Sequence, residues 1–102
     1  MLISDGEINI SVIPTPMAMI EEGKAMHHCV GGYVDQWNSL ILSARIDGKR
    51  IETIEVNLTT FKVEQSRGLQ NKFTDYHNRI VELMETNMGE IKKRYKKQSK
   101  AA

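Results

Sequence analysis

Cysteine, aromatic residues and long apolar runs are scarce in this sequence. One cysteine, Cys29, cannot build an intramolecular disulfide framework. Aromatic residues make up 6% of the chain while methionine occurs 6 times, which points to an aliphatic, adaptable core. No apolar stretch approaches the roughly 18 residues that a bilayer span requires, and no basic-then-apolar leader opens the chain. Internal repeats, low-complexity tracts and interdomain linkers are also missing. The expectation is a soluble, cytoplasmic protein with no membrane partner. What is present suits a single globular domain over 1–102: 40% of the residues are hydrophobic and 26% charged.

Acidic residues are absent from the last stretch. Six of the nine residues from Lys92 to Lys100 are Lys or Arg, and none is Asp or Glu. The formal net charge is +1, so without those six cations the rest carries −5. An acidic body thus bears a basic tail over about 92–102. Attraction to nucleic acid is expected to concentrate there, on Lys92, Lys93, Arg94, Lys96 and Lys97. A plainer reading is a solvated helix end whose cations suit the negative pole of the helix dipole.

Residues 7–13 alternate polar and apolar side chains and predict a strand, which Pro14 ends. Thr15 is placed to cap a helix that Pro16 opens and that runs to about Met26. Met19, Gly23, Met26 and Val30 share one helical stripe, and Gly31-Gly32 stops it. A β-meander follows. Leu40, Leu42, Ala44 and Ile46 share one face of its first strand; Ile54, Val56 and Leu58 share one face of the next. Only an odd loop around Asp47-Gly48-Lys49 sets apolar against apolar, so a three- or five-residue turn is expected. Thr59-Thr60 turns the chain into a third strand over 61–67, which Gly68 ends. From about Thr74 to Lys97, Tyr76, Ile80, Leu83, Met84, Met88, Ile91 and Tyr95 recur at spacings of three and four, the mark of one long helix. The fold class is therefore α+β: a small antiparallel meander with helices on one face and a long C-terminal helix.

The densest chemistry lies at 23–33, where His27, His28 and Cys29 precede Gly31-Gly32 and Tyr33. Arg45, Thr53, Glu55, Gln65 and Arg67 interrupt the meander, and Gly68 and Asn71 follow it. Glu22-Gly23, Met26, His28-Cys29-Val30, Tyr33, Arg45, Thr53-Ile54-Glu55, Gln65, Arg67-Gly68 and Asn71, taken in this order, resemble the PcfJ-like family. The likeness covers about 21–71 and leaves the basic tail without a counterpart. Family members are often longer, so the resemblance implies a compact version of the domain. It also implies a role in conjugation or the relaxosome of a mobile element, on a plasmid or a phage. No catalytic mechanism comes with it.

Cys29 is a candidate nucleophile if a base or cation activates it. His28 is a candidate acid or base, yet adjacent helical side chains diverge by about 100°, so His77 is the better partner for the thiol. Asn71, Gln65 or Glu55 would orient such a base. The plain alternative is a small buried thiol beside Val30. Zinc has His27, His28, Cys29 and His77 on offer, but consecutive residues seldom converge on one ion and no second Cys/His pair exists. No metal and no cofactor are expected. Tyr33 and Trp37 suit either base stacking or the rim of the core.

Register sharpens the picture. A two-residue Thr59-Thr60 turn places Val63 beside Val56, but it also carries Gln65 beside Ile54 and brings Arg67 inward. Thr53 and Glu55 then face away unless a bulge turns them. Polar groups on an inner face need partners, so a pocket of His28, Cys29, Tyr33, Gln65, Arg67 and Asn71 is expected, with Arg45 and Glu55 as further members. The reading that follows is an accessory domain binding nucleic acid, a nucleoprotein complex or a protein partner. The C-terminal helix could equally dock a second copy of the chain. A small Cys/His-dependent hydrolase or transferase using the same pocket is the alternative.

Overall fold

The computed structural model describes residues 2–26 and 38–101. They form, in order, β1 (Leu2–Ser4), β2 (Asn9–Val12), α1 (Pro16–Met26), β3 (Ser39–Ile46), β4 (Lys49–Asn57), β5 (Val63–Arg67), a 3-10 turn (Leu69–Asn71), α2 (His77–Thr86) and α3 (Met88–Ala101). The five strands make one antiparallel sheet in sequence order. The α+β class and the meander are as the sequence indicates. Strand β1 is an addition: Asp5 closes its hairpin by accepting the N–H groups of Glu7 and Ile8 through Oδ1.

Helix α1 occupies the expected span. Thr15 caps it, its Oγ1 accepting the Ala18 N–H at 3.1 Å. The first meander turn differs from expectation. Ile46 pairs with Lys49 across only Asp47 and Gly48, both at positive φ (51° and 80°), the type I′ pattern of two-residue hairpins. A bulge then leaves Ile51 without an opposite residue, and beyond it Leu42 faces Ile54 and Ile41 faces Glu55. The Asp-Gly pair dictates the short turn, and the bulge restores the register that burial requires.

One face of the sheet carries Ile3, Ile10, Leu40, Leu42, Ala44, Ile54 and Val56 under Ile80, Met84 and Ile91 of α2 and α3. Full burial of such side chains gives roughly 1.5–3 kcal/mol each, whereas exposed ion pairs give ~0–1, so this layer holds α2 in place. Helix α1 lies on the opposite face, where Ser43 and Thr53 meet Glu22. The helices are thus split between both faces rather than gathered on one. Alternation explains it: β3 and β4 expose a second row, Ile41, Ser43 and Thr53, that is itself buried.

The long C-terminal helix is interrupted. Asn87 separates α2 from α3, and its Nδ2 donates to the Leu83 carbonyl at 2.8 Å, competing with the helical ladder there. Thr74 still organises the start: its Oγ1 accepts the Tyr76 N–H and its carbonyl accepts the His77 N–H.

Candidate functional site

The α1 face holds a carboxylate hub. Helix α1 buries only Glu22, Gly23 and Met26, so it has little apolar surface to dock with. Glu22, 1% exposed, supplies the rest. Its Oε2 accepts Thr53 Oγ1 at 2.6 Å; its Oε1 accepts Arg50 Nε at 2.8 Å and Ser43 Oγ at 3.2 Å. Arg45 approaches the same oxygen to 3.8 Å and donates from Nε to Ser43 Oγ at 3.2 Å. Two cations and two hydroxyls together compensate a carboxylate that burial alone would expel.

A second hub lies under α2. Glu52, 0% exposed, stands on the inner face with Ile54 and Val56. Its Oε1 accepts Ser66 Oγ at 2.6 Å and His77 Nδ1 at 2.9 Å. Its Oε2 accepts the Thr74 N–H at 2.9 Å and Thr74 Oγ1 at 2.8 Å. A carboxylate surrounded by donors fixes the imidazole with hydrogen on Nδ1, which turns Nε2 away from it. Phe73 stacks on that ring at 3.9 Å and 17°, and Arg67 Cζ lies 4.4 Å from the Phe73 centroid. Gly68 permits the closeness: a Cβ there would stand 2.5 Å from Thr74 Cγ2. Arg67 and His77 open on a cleft of about 610 Å³ between β5 and α2.

The expected pocket residues are distributed differently. His28, Cys29 and Tyr33 lie outside the described residues, as do His27 and Trp37, so their convergence with the others is not part of the observed site. Gln65 does not join Ile54. A bulge at Glu64 sets Gln65 opposite Glu55 and Arg67 opposite Thr53, while Ser66 takes the place beside Ile54. Thr53 and Glu55 face away from the inner row of Ile54 and Val56, as the alternation indicates; Thr53 is buried there against Glu22 of α1, and Glu55 is half-buried. Glu55 accepts Ser39 Oγ at 2.7 Å rather than pairing with Arg45. Asn71 closes the 3-10 turn, which packs near α1.

Glu22, Ser43, Arg50, Glu52, Ser66 and Thr74 were not anticipated as site residues. For Glu52 the signal was available, since period-2 spacing from Ile54 and Val56 carries it onto the buried face. Glu22 had a weaker one, an acid beside the Met19, Gly23 and Met26 stripe.

At the hairpin end, Arg79 grips Asp5 at 2.6 Å and Glu7 at 2.8 Å. The N–H groups of Ile8 and Glu7, and then Arg79, lower the Asp5 pKa from 3.8 to about 2. Asp5 in turn raises that of Arg79. Along α3, Lys92 and Lys93 are exposed, while Arg94 pairs with Glu90 one turn earlier at 3.1 Å.

The PcfJ-like protein family model matches residues 1–81. The chain belongs to the PcfJ-like family. The match is wider than the 21–71 over which the motif residues run, and it takes in β1, β2 and the start of α2 but not α3. No curated protein and no solved structure matches the chain. No helix among the described residues is long and apolar enough to cross a membrane.

Proposed function

We propose that this PcfJ-like chain is a cytoplasmic accessory protein of a bacterial mobile genetic element, a plasmid or phage, that holds nucleic acid with α3. The observation that carries this reading is the charge of that helix. From Ile91, its buried anchor, to the end of α3 there is no acidic residue. Helix positions 92, 93, 96, 97 and 100 fall within about 140° of arc, on the side away from position 91. Lys92 and Lys93, with positions 96, 97 and 100 on the same arc, make a phosphate-binding strip that positions without reading sequence, and Arg94, paired with Glu90, lies at its border. The two carboxylate hubs support the split of roles, because their acids are already engaged inside the domain.

The test is anisotropy of a labelled DNA duplex titrated with the full chain. Affinity should fall steeply between about 50 and 200 mM salt, with a log–log slope near 0.9 per phosphate neutralised. Lys92→Gln with Lys93→Gln should lower that slope by about 2. Binding insensitive to salt, or no binding at low salt, would defeat the reading.

A small Cys/His-dependent hydrolase or transferase is a second reading, favoured by one observation, the His77 imidazole oriented by Glu52. Its test is the pH profile of Cys29 alkylation. A thiol pKa well below the ordinary value, restored to it by His77→Gln, supports the enzyme; an inert thiol removes it.

A further inference from the structure

Strand β5 is an outer strand: β4 flanks it on one side, and no strand among the described residues lies on the other. Half of its backbone N–H and C=O groups therefore lack a ladder partner. The cleft of about 610 Å³ follows this edge. One wall is the unbroken run Phe61 to Arg67. Strand side chains alternate, so consecutive residues line one cavity only where the strand presents its edge, backbone included. The other wall is His77, Val81, Glu85 and Met88, a single stripe at helical spacing. An outer strand beside one helix face is the arrangement into which extended peptides add as a further strand.

The two ends of the cleft differ. At one, the Arg67 guanidinium lies over Phe73 and, among the described residues, donates only to the Ser66 carbonyl, at 3.2 Å. His77 stacks on the same ring and spends Nδ1 on Glu52, which leaves Nε2 without a partner among the described residues. Both groups are held flat, and among the described residues neither pairs with Glu64 or Glu85, the acids that line the cleft. At the other end Phe61, Val63 and Met88 pack against the core. Glu64, the bulge residue, is tied to Asn57 Nδ2 at 2.9 Å.

We propose that this cleft receives an extended segment of a partner protein, paired to β5 through its backbone. An acidic side chain of the segment sits at Arg67 and His77, and an apolar one, about four residues along, sits between Val63 and Met88. Charge complementarity at the Arg67 end and the unpaired strand edge together define this occupant. The surface is separate from the α3 lysines, so the proposal does not depend on nucleic-acid binding.

A random octapeptide library displayed on phage and selected on the full chain tests this. The expected consensus places Asp or Glu about four residues from Val, Ile or Leu. As synthetic fluorescein-labelled peptides, the binders should lose about tenfold in affinity on Arg67→Gln, and similarly when alternate peptide amides are N-methylated. Val81→Glu, at a half-buried position, offers a second block, with circular dichroism confirming the fold. A library without binders, binders indifferent to N-methylation and to both substitutions, or occupancy of the cleft by a second copy of the chain would each overturn the proposal.

Discussion

Thr53 Oγ1 donates to Glu22 Oε2 at 2.6 Å, joining the middle of β4 to a helix 31 residues earlier in the chain. This contact, with those of Ser43 and Arg50, is what docks α1. The helix brings few apolar groups to the sheet, so its position is set by polar chemistry. Replacing Glu22 with Ala should therefore cost roughly 2–4 kcal/mol, since two buried hydroxyls and a partly shielded guanidinium lose their acceptor. Arg94→Ala, which removes an exposed i,i+4 pair, should cost under about 0.5 kcal/mol. Urea denaturation of the two variants checks the contrast; equal losses would mean that Glu22 is not a docking residue.

The Glu52 hub makes a different demand. All four groups facing its oxygens are donors. Glu52→Gln keeps the shape but aims an amide N–H₂ at donors, so a loss of about 1–3 kcal/mol is expected. His77→Ala should cost less, because one donor is removed and three remain satisfied. Nitrogen-15 spectra of the wild type should show hydrogen on Nδ1 of His77, and in Glu52→Gln that preference should vanish.

Two glycines should respond with opposite signs. A Cβ on Gly68 meets Thr74 Cγ2 at 2.5 Å and the Ile51 and Lys72 carbonyls at 3.0 Å. Gly68→Ala must therefore push Thr74 off Glu52, at about 1–3 kcal/mol. Nothing lies within 4 Å of a Cβ on Gly89, in the first turn of α3, so Gly89→Ala should stabilise by up to about 1 kcal/mol through helix propensity. Thermal melts of both variants decide the matter.

Acid titration isolates the Asp5 hairpin. Its pKa is 3.8 when free and about 2 when folded. A carboxyl group lowered on folding contributes stability that is complete above 3.8 and lost as the pH falls through about 2. Asp5→Asn should thus flatten the pH dependence of the melting temperature across that window and leave its slope above it unchanged. A slope between pH 4 and 2 identical to that of the wild type would contradict this account of Asp5.

Local signals carried much of the fold. Thr15-Pro16 set the start of α1, and the apolar rows of β3 and β4 set their pairing, although the turn between them has two residues and not the odd number that the rows alone require. Asp47-Gly48 asked for two residues while the core asked for an odd offset, and the chain satisfied both by setting Ile51 aside. The same device at Glu64 set Gln65 opposite Glu55 and Arg67 opposite Thr53, with the Arg67 guanidinium reaching round the strand edge to Phe73. Single-residue bulges leave almost no trace in a period-2 pattern, which is why the spacing puts Gln65 beside Ile54 where the structure has Ser66. Glu22 escaped notice because its partners Ser43, Arg50 and Thr53 are 21–31 residues away. The break at Asn87 was hidden by an apolar stripe that continues across it.

The claim on which the functional reading turns is that the interior polar hubs are structural while α3 meets nucleic acid. Amide chemical-shift mapping of the full chain against a short DNA duplex tests it most directly. The account predicts shifts confined to α3 and the turn before it, growing as salt is lowered. Shifts centred on Glu22 and Glu52 with α3 silent would contradict it.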